Sequence, residues 1–160
     1  MIDVMVVGLS TELGYKTALE VIKNHDTNLI KFTLGQNNGT IKVGETIINL
    51  VPPESHEMII KEKRPDVIVD FTNEFEDVFQ KNLKLYTKSN LSFVVGTILS
   101  YSDNLGINID GSESSALVID NVDKYDLDLL AEIAVNAAKF LFDNPEKGKI
   151  FEDDAVLDFE

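Results

Sequence analysis

Short apolar runs rich in β-branched residues alternate along the chain with longer segments whose apolar residues recur every three or four positions. An apolar run without polar alternation is typical of a strand buried on both faces of a parallel sheet. The apolar residues of the longer segments share one face of a helix. The pattern therefore predicts an α/β fold, with a Rossmann-like parallel sheet and flanking helices. The predicted core strands are residues 2–7, 28–34, 67–71 and 92–95. One predicted helix follows the turn at Gly8, and three more cover residues 55–63, 75–86 and 126–142.

The remaining stretches predict shorter strands and a C-terminal helix that needs cover on several sides. Two short strands flank Gly44, and two more flank the turn DGSE, at residues 105–109 and Ala116–Ile119. The helix at 126–142 has so broad an apolar face that one layer would leave part of it exposed. Either its own chain encloses it, or it also packs against a second subunit. We expect a homodimer through this helix region, because twofold dimers are the commonest oligomers.

Composition narrows the classes of partner. Lys and Arg total 14 against 28 Asp and Glu, so the formal net charge is −14. This charge argues against nucleic acid and anionic membranes as partners, because both require a positive surface. The chain has no cysteine, which excludes disulfides and thiolate metal sites, and its histidines do not form a metal-ligand set. Without a long apolar run or a signal-like N-terminus, the expected location is the cytoplasm.

The loop VVGLSTELG, residues 6–14, joins a strand to a helix as phosphate-binding loops do. Gly8 fits the tight turn and Gly14 fits close helix–strand packing, but Thr11 stands where a third glycine is expected. The hydroxyls of Ser10 and Thr11 are possible donors to a phosphate, whereas the following Glu12 repels one. The alternative is a plain strand-to-helix turn in which Glu12 stabilises the helix dipole.

Three motifs in order resemble the nucleotide-binding domain of dihydrodipicolinate reductases. They are the glycine loop VVGLSTELG, the strand PDVIVDFT at residues 65–72 and the strand FVVGT at 93–97. GETIINLVPPES is similar to the plant-like branch of that family, and GKIFEDDAVLDF is similar to its closing segment. The resemblance covers most of the chain. It implies a nucleotide-binding-type core at 1–102, a remnant of or replacement for the substrate domain at 103–125, and a C-terminal helix and tail at 126–160, within one domain.

The resemblance also implies a site for NAD(P)H, with alterations that predict weak or absent binding. The segment FTLGQNN, at the end of the second predicted strand, lacks two residue types that select the cofactor. It has neither an acidic residue, which would bind the 2′-hydroxyl of the adenosine ribose, nor an arginine, which would bind a 2′-phosphate. The family's Gly-Thr-Thr-Gly loop is Gly96, Thr97, Ile98 and Leu99 here, so Leu99 replaces a glycine. Asp70 either contacts a ligand or accepts amides of its own loop. The candidate cofactor-binding residues are Gly8, Ser10, Thr11, Gly14, Gly35, Asp70, Phe71, Thr72, Gly96 and Thr97.

The family's catalytic motifs are missing from the segment between the Gly-Thr loop and the last helix. A His-His pair, a following Lys and an Asp-Ala-Pro-Ser-Gly-Thr stretch hold the substrate and supply the proton in that family, and none occurs here. His25 and His56 lie in the other half of the chain, and we expect both to be exposed. No catalytic residue is therefore assigned. One hypothesis is a non-catalytic module for nucleotide sensing or protein interaction; the other is an NAD(P)H-binding subunit of a small or split oxidoreductase related to lysine and diaminopimelate biosynthesis.

Overall fold

The computed structural model describes residues 1–97, 107–120 and 122–152. Short 3₁₀ turns lie at Pro53–Ser55 and Val122–Lys124. The strands are β1 (Ile2–Val7), β2 (Thr27–Leu29), β3 (Phe32–Leu34), β4 (Gly39–Val43), β5 (Thr46–Val51), β6 (Val67–Asp70), β7 (Ser92–Gly96), β8 (Ala116–Ile119) and β9 (Ile150–Glu152). The helices are α1 (Glu12–Lys23), α2 (His56–Lys63), α3 (Glu76–Lys88) and α4 (Leu127–Asp143).

Six parallel strands form the main sheet, in the order β2-β1-β6-β7-β8-β9. The chain leaves β1 toward one edge and later continues from β6 toward the other, so the strand order reverses between β1 and β6. This topology confirms the predicted Rossmann-like α/β fold. A smaller sheet, in the order β3-β5-β4, contains a parallel pair and the antiparallel pair around Gly44.

The predicted single strand at residues 28–34 is wrong, because the chain changes sheets in the middle of it. Ile30 N donates to Val4 O at 2.9 Å, which continues the ladder of the main sheet. The carbonyl of the following residue, Lys31, accepts instead from Asn49 N of the small sheet, also at 2.9 Å. The Thr33 hydroxyl then donates to Val6 O at 2.5 Å, which holds the small sheet against the end of β1.

Helices cover both faces of the main sheet, which explains why its strands lack polar alternation. Val4 and Val6 of β1 belong to the core beneath α1 and α4. Met5 and Val7, which point to the opposite face, belong to the core beneath α2 and α3. The first core also includes Val67, Val69, Val94, Leu117 and Leu130, and the second Ile68, Phe93, Ile60, Phe79 and Tyr86.

Helix α4 matches its predicted position and is mostly enclosed by its own chain. Asp126 caps its N-terminus by accepting from Leu129 N at 3.1 Å. The helix packs against α1 and the main sheet, and Leu129 and Phe142 remain 40% and 45% exposed. Its buried residues are Leu130, Ala131, Ile133, Ala134, Val135, Ala137, Ala138 and Leu141. Enclosure by one chain therefore accounts for most of the apolar face, and the homodimer stays a prediction.

Two elements near the C-terminus differ from the predicted pattern. Ala116–Ile119 is a strand of the main sheet, as expected, but residues 107–109 are irregular, and the rest of the predicted strand at 105–109 lies outside the described residues. Strand β9 was not predicted and forms the edge beside β8. Within the part of the chain that the structure describes, no helix combines the length and apolar character needed to span a membrane.

Candidate functional site

Two adjoining cavities open near the carboxyl ends of the central strands. The switch-point cavity, of about 300 Å³, lies where β1, β3 and β6 end. The α2–α3 cavity, of about 350 Å³, lies between those helices. Both are lined by Gln36, Val78 and Asn82. Because ligands of open parallel sheets bind at this edge, where the strand order reverses, the switch-point cavity is the candidate site.

Gly8 and Gly14 fill the structural roles that the sequence predicts for them. Gly8 has a φ of +95°, which disfavours residues with a side chain, and it lines the cavity. A Cβ on Gly14 would lie 2.1 Å from Gly8 O. Since that neighbour is backbone, it cannot rotate away. The missing side chain of Gly14 thus permits α1 to begin directly against the turn after β1.

The Thr11 hydroxyl is occupied by the turn itself. It donates to Gly8 O at 2.7 Å and accepts from Gly14 N at 3.0 Å, which makes Thr11 the N-cap of α1. Glu12 is exposed in the first turn of the helix, where a carboxylate stabilises the dipole. Ser10 is exposed and lines the cavity. The geometry therefore supports the interpretation of Thr11 and Glu12 as helix-start residues, and Ser10 is the residue of this loop whose exposed hydroxyl group lines the cavity.

Asp70 is completely buried at the end of β6 and accepts hydrogen bonds from uncharged groups. Its Oδ1 accepts from Thr72 N at 2.7 Å and Thr72 Oγ1 at 2.6 Å. Its Oδ2 accepts from Tyr86 OH at 2.6 Å and Asn82 Nδ2 at 3.2 Å. Burial raises the pKa of Asp70 above its ordinary value, against the opposing effect of these hydrogen bonds. Asp70 thus positions Thr72 and Asn82, which line the cavity in its place.

His56 is buried, so the expectation that it is exposed is wrong; His25 is exposed as expected. The Nε2 atom of His56 lies 2.8 Å from both Gly35 O and Val51 O. Carbonyls only accept, so Nε2 carries the proton and donates to both. His56 thereby ties the start of α2 to the loop after β3. That loop includes Gly35, which lines the cavity and whose N–H donates to Val51 O at 2.8 Å.

Gly96, Thr97 and Phe71 are brought together, and none of the three lines the switch-point cavity. A Cβ on Gly96 would lie 2.8 Å from Val122 Cγ1 and 3.0 Å from Phe71 Cε1. The Thr97 N–H donates to Ile119 O at 2.9 Å, and Thr97 O accepts from Val122 N at 2.8 Å. All three predicted residues are buried. Ile98 and Leu99, which completed this predicted loop, lie outside the described residues.

The lining of the switch-point cavity is uncharged. Its walls include the apolar side chains of Ile41 and Leu50 from the small sheet, and of Phe75 and Val78 near the start of α3. The polar side chains in the lining are Ser10, Thr33, Gln36, Asn37, Thr72 and Asn82. None of these ionises near neutral pH. The described lining therefore suits recognition of a ligand by shape and hydrogen bonds, and supplies no general acid or base.

Phe75 and Asn82 are among the lining residues that sequence reasoning missed. The sequence pattern placed Phe75 in the apolar stripe of α3, but its side chain is 51% exposed and lines the cavity. Its position just after the strand-ending Thr72, at the ligand-binding edge of the sheet, is the signal that could have identified it. Asn82 lacked such a signal, because its role depends on Asp70. Among the described residues, no group of three or more His, Cys, Asp or Glu side chains is placed to hold a metal ion.

Comparison with known proteins agrees with the resemblance at the level of a distant relationship. No family model matches the chain. The chain is 26% identical over 144 residues to the probable 4-hydroxy-tetrahydrodipicolinate reductase 2, chloroplastic, of Oryza sativa subsp. japonica. The match covers 86% of this chain and 43% of the rice protein. The chain thus spans less than half the length of the reductase to which it is similar.

Proposed function

We propose that the chain is a non-catalytic relative of dihydrodipicolinate reductases, which senses a nucleotide or presents a nucleotide-dependent surface to another protein. The observation that carries the proposal is the switch-point cavity: it lies beside the Gly8 turn, yet its described lining contains no ionisable side chain. A reductase acting on such a substrate needs a proton donor as well as a hydride donor. In the resembled family that donor belongs to the substrate domain, whose motifs this sequence lacks, and the described lining of the cavity does not replace it.

The binding chemistry rests on backbone geometry and neutral polar groups. The turn from Gly8 to Ser10 lines the cavity at the N-terminus of α1, where helix N–H groups and the dipole favour a phosphate. Thr72 and Asn82 add hydrogen-bonding groups at the end of β6. Opposing them, the Thr11 hydroxyl is already used within the turn, and the Glu12 carboxylate repels an anion. We therefore expect the protein to bind the nucleotide weakly.

Calorimetric titration with NADH and NADPH tests the proposal. We expect saturable binding with a Kd above about 100 μM, which corresponds to less than about 5.5 kcal/mol of binding free energy. A V78E variant, which places an anionic side chain in the cavity wall, should abolish the heat of binding. The matched control is K84Q, on the same helix but outside both cavities. Absence of saturable binding, or binding that V78E leaves intact, would count against a nucleotide site in the cavity.

The alternative function is the NAD(P)H-binding subunit of a split oxidoreductase related to lysine biosynthesis. It is favoured by the extent of the rice match, which takes in 86% of this chain but only 43% of the reductase. A partner chain would then supply the substrate-binding part. This function requires productive cofactor affinity, so a Kd near or below about 10 μM in the same titration would favour the oxidoreductase subunit over the sensor.

A further inference from the structure

We infer that the α2–α3 cavity is a second binding site, which takes a small zwitterion: an α-amino acid with an apolar side chain. This cavity adjoins the switch-point cavity but differs from it in chemistry. Its lining includes the charged side chains of Glu57, Asp77 and Lys81, whereas the described lining of the switch-point cavity is uncharged. Carboxylates repel a phosphate group, so the α2–α3 cavity favours a ligand of another class than a nucleotide.

One carboxylate and one ammonium group of the lining are available to a ligand. The Glu57 carboxylate lies 3.1 Å from Lys88 Nζ, so its charge is balanced within the protein. Asp77 and Lys81 are both exposed, and within the described part of the chain neither side chain has a hydrogen bond or an ion pair. Their i, i+4 spacing on α3 places them on one face of the helix, with about 5–6 Å between their Cβ atoms. Such a pair of opposite charges matches the ammonium and carboxylate groups of one small zwitterion.

Two buried acceptors add to the site for the ammonium group. His56 is 9% exposed and lines the cavity. Because its Nε2 donates to two backbone carbonyls, the Nδ1 of the neutral ring is an acceptor. Asn82 is 3% exposed and also lines the cavity. Its Nδ2 donates to the Asp70 carboxylate at 3.2 Å, which leaves Oδ1 as an acceptor.

Neither acceptor is satisfied by the protein. Among the described residues, no group donates to His56 Nδ1 or to Asn82 Oδ1. Buried polar groups are ordinarily hydrogen-bonded, so these two atoms indicate a ligand with several donors. A primary ammonium group has three N–H donors, one for each of these acceptors and one for the Asp77 carboxylate.

Apolar side chains and the volume of the cavity define the rest of the ligand. Pro53, Val78 and Leu85 line the cavity and are partly buried, so an apolar side chain of the ligand would pack against them. The volume of about 350 Å³ is at the lower end of the roughly 300–1,000 Å³ found for small-molecule pockets. The cavity therefore has space for a molecule the size of an amino acid, with its carboxylate toward Lys81.

Titration with L-leucine and two analogues, followed by amide NMR spectra, tests the inference. Isopentylamine has the same apolar chain without the carboxylate, and isocaproate has it without the ammonium group. We expect leucine to bind with a Kd below about 1 mM. Each analogue should bind at least about tenfold more weakly, because a hydrogen bond to a charged group is lost.

The amide signals that shift show which cavity holds leucine. Glu57 and Leu85 line only the α2–α3 cavity, whereas Ser10 and Ile41 line only the switch-point cavity. We expect saturable shifts at Glu57 and Leu85 that exceed those at Ser10 and Ile41. The reverse order would place leucine in the switch-point cavity and overturn the inference.

Two substitutions on α3 test the charged groups. K81M removes the ammonium group and keeps an apolar side chain, and D77N removes the charge of the carboxylate with little change in shape. Each should weaken leucine binding by about fivefold or more. K81M should also bind leucine and isopentylamine about equally, because the partner of the carboxylate is gone. The matched controls K84M and E76Q make the same changes at exposed residues of α3 outside both cavities and should leave the affinity unchanged.

The outcomes separate this inference from the proposed function. Absence of saturable leucine binding would overturn the inference, whatever the titration with NADH gives. Equal affinities of the natural protein for leucine and either analogue would overturn the recognition of a zwitterion, as would equal losses in each variant and its control. Binding of leucine without any binding of NADH would contradict the nucleotide site and support the α2–α3 site.

Discussion

The Tyr86 hydroxyl donates to Asp70 Oδ2 at 2.6 Å, and both residues are completely buried. The contact joins α3 to the end of β6, directly behind the lining of the switch-point cavity. Burial and the nearby Asp70 carboxylate raise the pKa of Tyr86 well above its ordinary value, so the phenol remains a donor at physiological pH. This buried pair fixes the side of the cavity formed by Thr72 and Asn82.

Replacement of Tyr86 by phenylalanine should destabilise the fold by about 2 kcal/mol. The variant removes a hydrogen bond to a buried carboxyl group and leaves that group with one donor fewer. Urea denaturation gives the difference in the free energy of unfolding. The control is Y15F, because the Tyr15 hydroxyl accepts only a 3.2 Å contact from Gly44 N at the surface. Its expected cost is below about 0.5 kcal/mol, and equal losses in the two variants would contradict a special role for Asp70.

The contribution of Asp70 to stability should decrease as the pH rises. Burial raises its pKa in the folded protein above the ordinary value of 3.8, so the folded state binds the proton more tightly than the unfolded state. That contribution is fully present below the unfolded pKa and is lost as the pH rises through the folded pKa. The limiting slope for one proton is about 1.4 kcal/mol per pH unit.

A D70N variant isolates this effect from those of other carboxylates. Urea denaturation of both proteins between pH 4 and 7 (about three units, enough for one titration) gives the difference in their free energies of unfolding. We expect the advantage of the natural protein over D70N to shrink as the pH increases toward and through the folded pKa of Asp70. An advantage that grows with pH would show that the hydrogen bonds from Thr72, Tyr86 and Asn82 outweigh burial.

Gly14→Ala should be among the most damaging single-methyl additions in the chain. The new Cβ would lie 2.1 Å from Gly8 O, and because this neighbour is backbone, rotation of a side chain cannot relieve the contact. We expect a loss of about 3 kcal/mol or more, at the upper end for an overpacked site. The comparison is G148A, where the added Cβ meets nothing within 4 Å but φ is +69°. That variant should lose only about 1 kcal/mol in a thermal or urea melt. Similar losses would show that the start of α1 can move.

The elements that could be predicted from the sequence are those whose own apolar residues show that they are buried. β1, β6, β7 and α4 were found because most of their apolar residues are buried between the sheet and its helices. Residues 28–34 were misread because Ile30 and Lys31 bond to different sheets, and no local pattern distinguishes the two partners. β9 is a short edge strand whose existence depends on pairing with β8, far away in the sequence.

The same distinction holds in the candidate site. Gly8 and Gly14 were predictable, because a positive φ and a close helix–strand contact restrict the residue type locally. The burial of His56 was not, since it depends on carbonyls of Gly35 and Val51 brought together by the small sheet. Likewise, Asp70 could be placed at the functional edge of the sheet, but its partners on α3 follow only from packing.

The double variant T11G/E12R should increase the affinity for NADH by about tenfold. It removes the side chain at the middle position of the loop and replaces a repelling carboxylate by a cation near the phosphate position, which is worth at least about 1.4 kcal/mol. The cost to stability should be a few tenths of a kcal/mol, because glycine is an acceptable N-cap. E132R makes the same charge change on the exposed side of α4 and should leave the affinity unchanged. Equal gains in both variants would indicate a general charge effect.

Self-association through α4 is the last expectation, and the structure narrows where it would occur. Leu129 and Phe142 are the large apolar side chains of this helix that stay exposed, at 40% and 45%. The two residues lie on different faces of the helix, which advances about 100° per residue, so a twofold contact through the C-terminal end of α4 would bury Phe142 against its copy. The net charge of −14 opposes the contact, so raising the salt from low to moderate concentration should tighten the dimer by screening.

Sedimentation velocity at micromolar concentration, in both salts, measures this equilibrium. F142E should weaken the dimer by about tenfold or more, because it removes apolar burial worth roughly 1.4 kcal/mol and adds a repelling charge at the contact. The matched control is M58E, which places the same charge on an exposed apolar residue of α2, on the other side of the main sheet. If M58E weakened the dimer as much as F142E, the contact would not involve α4. A monomer in both salts would rule out the dimer, and the enclosure of α4 by α1 and the main sheet would then account for its whole apolar face.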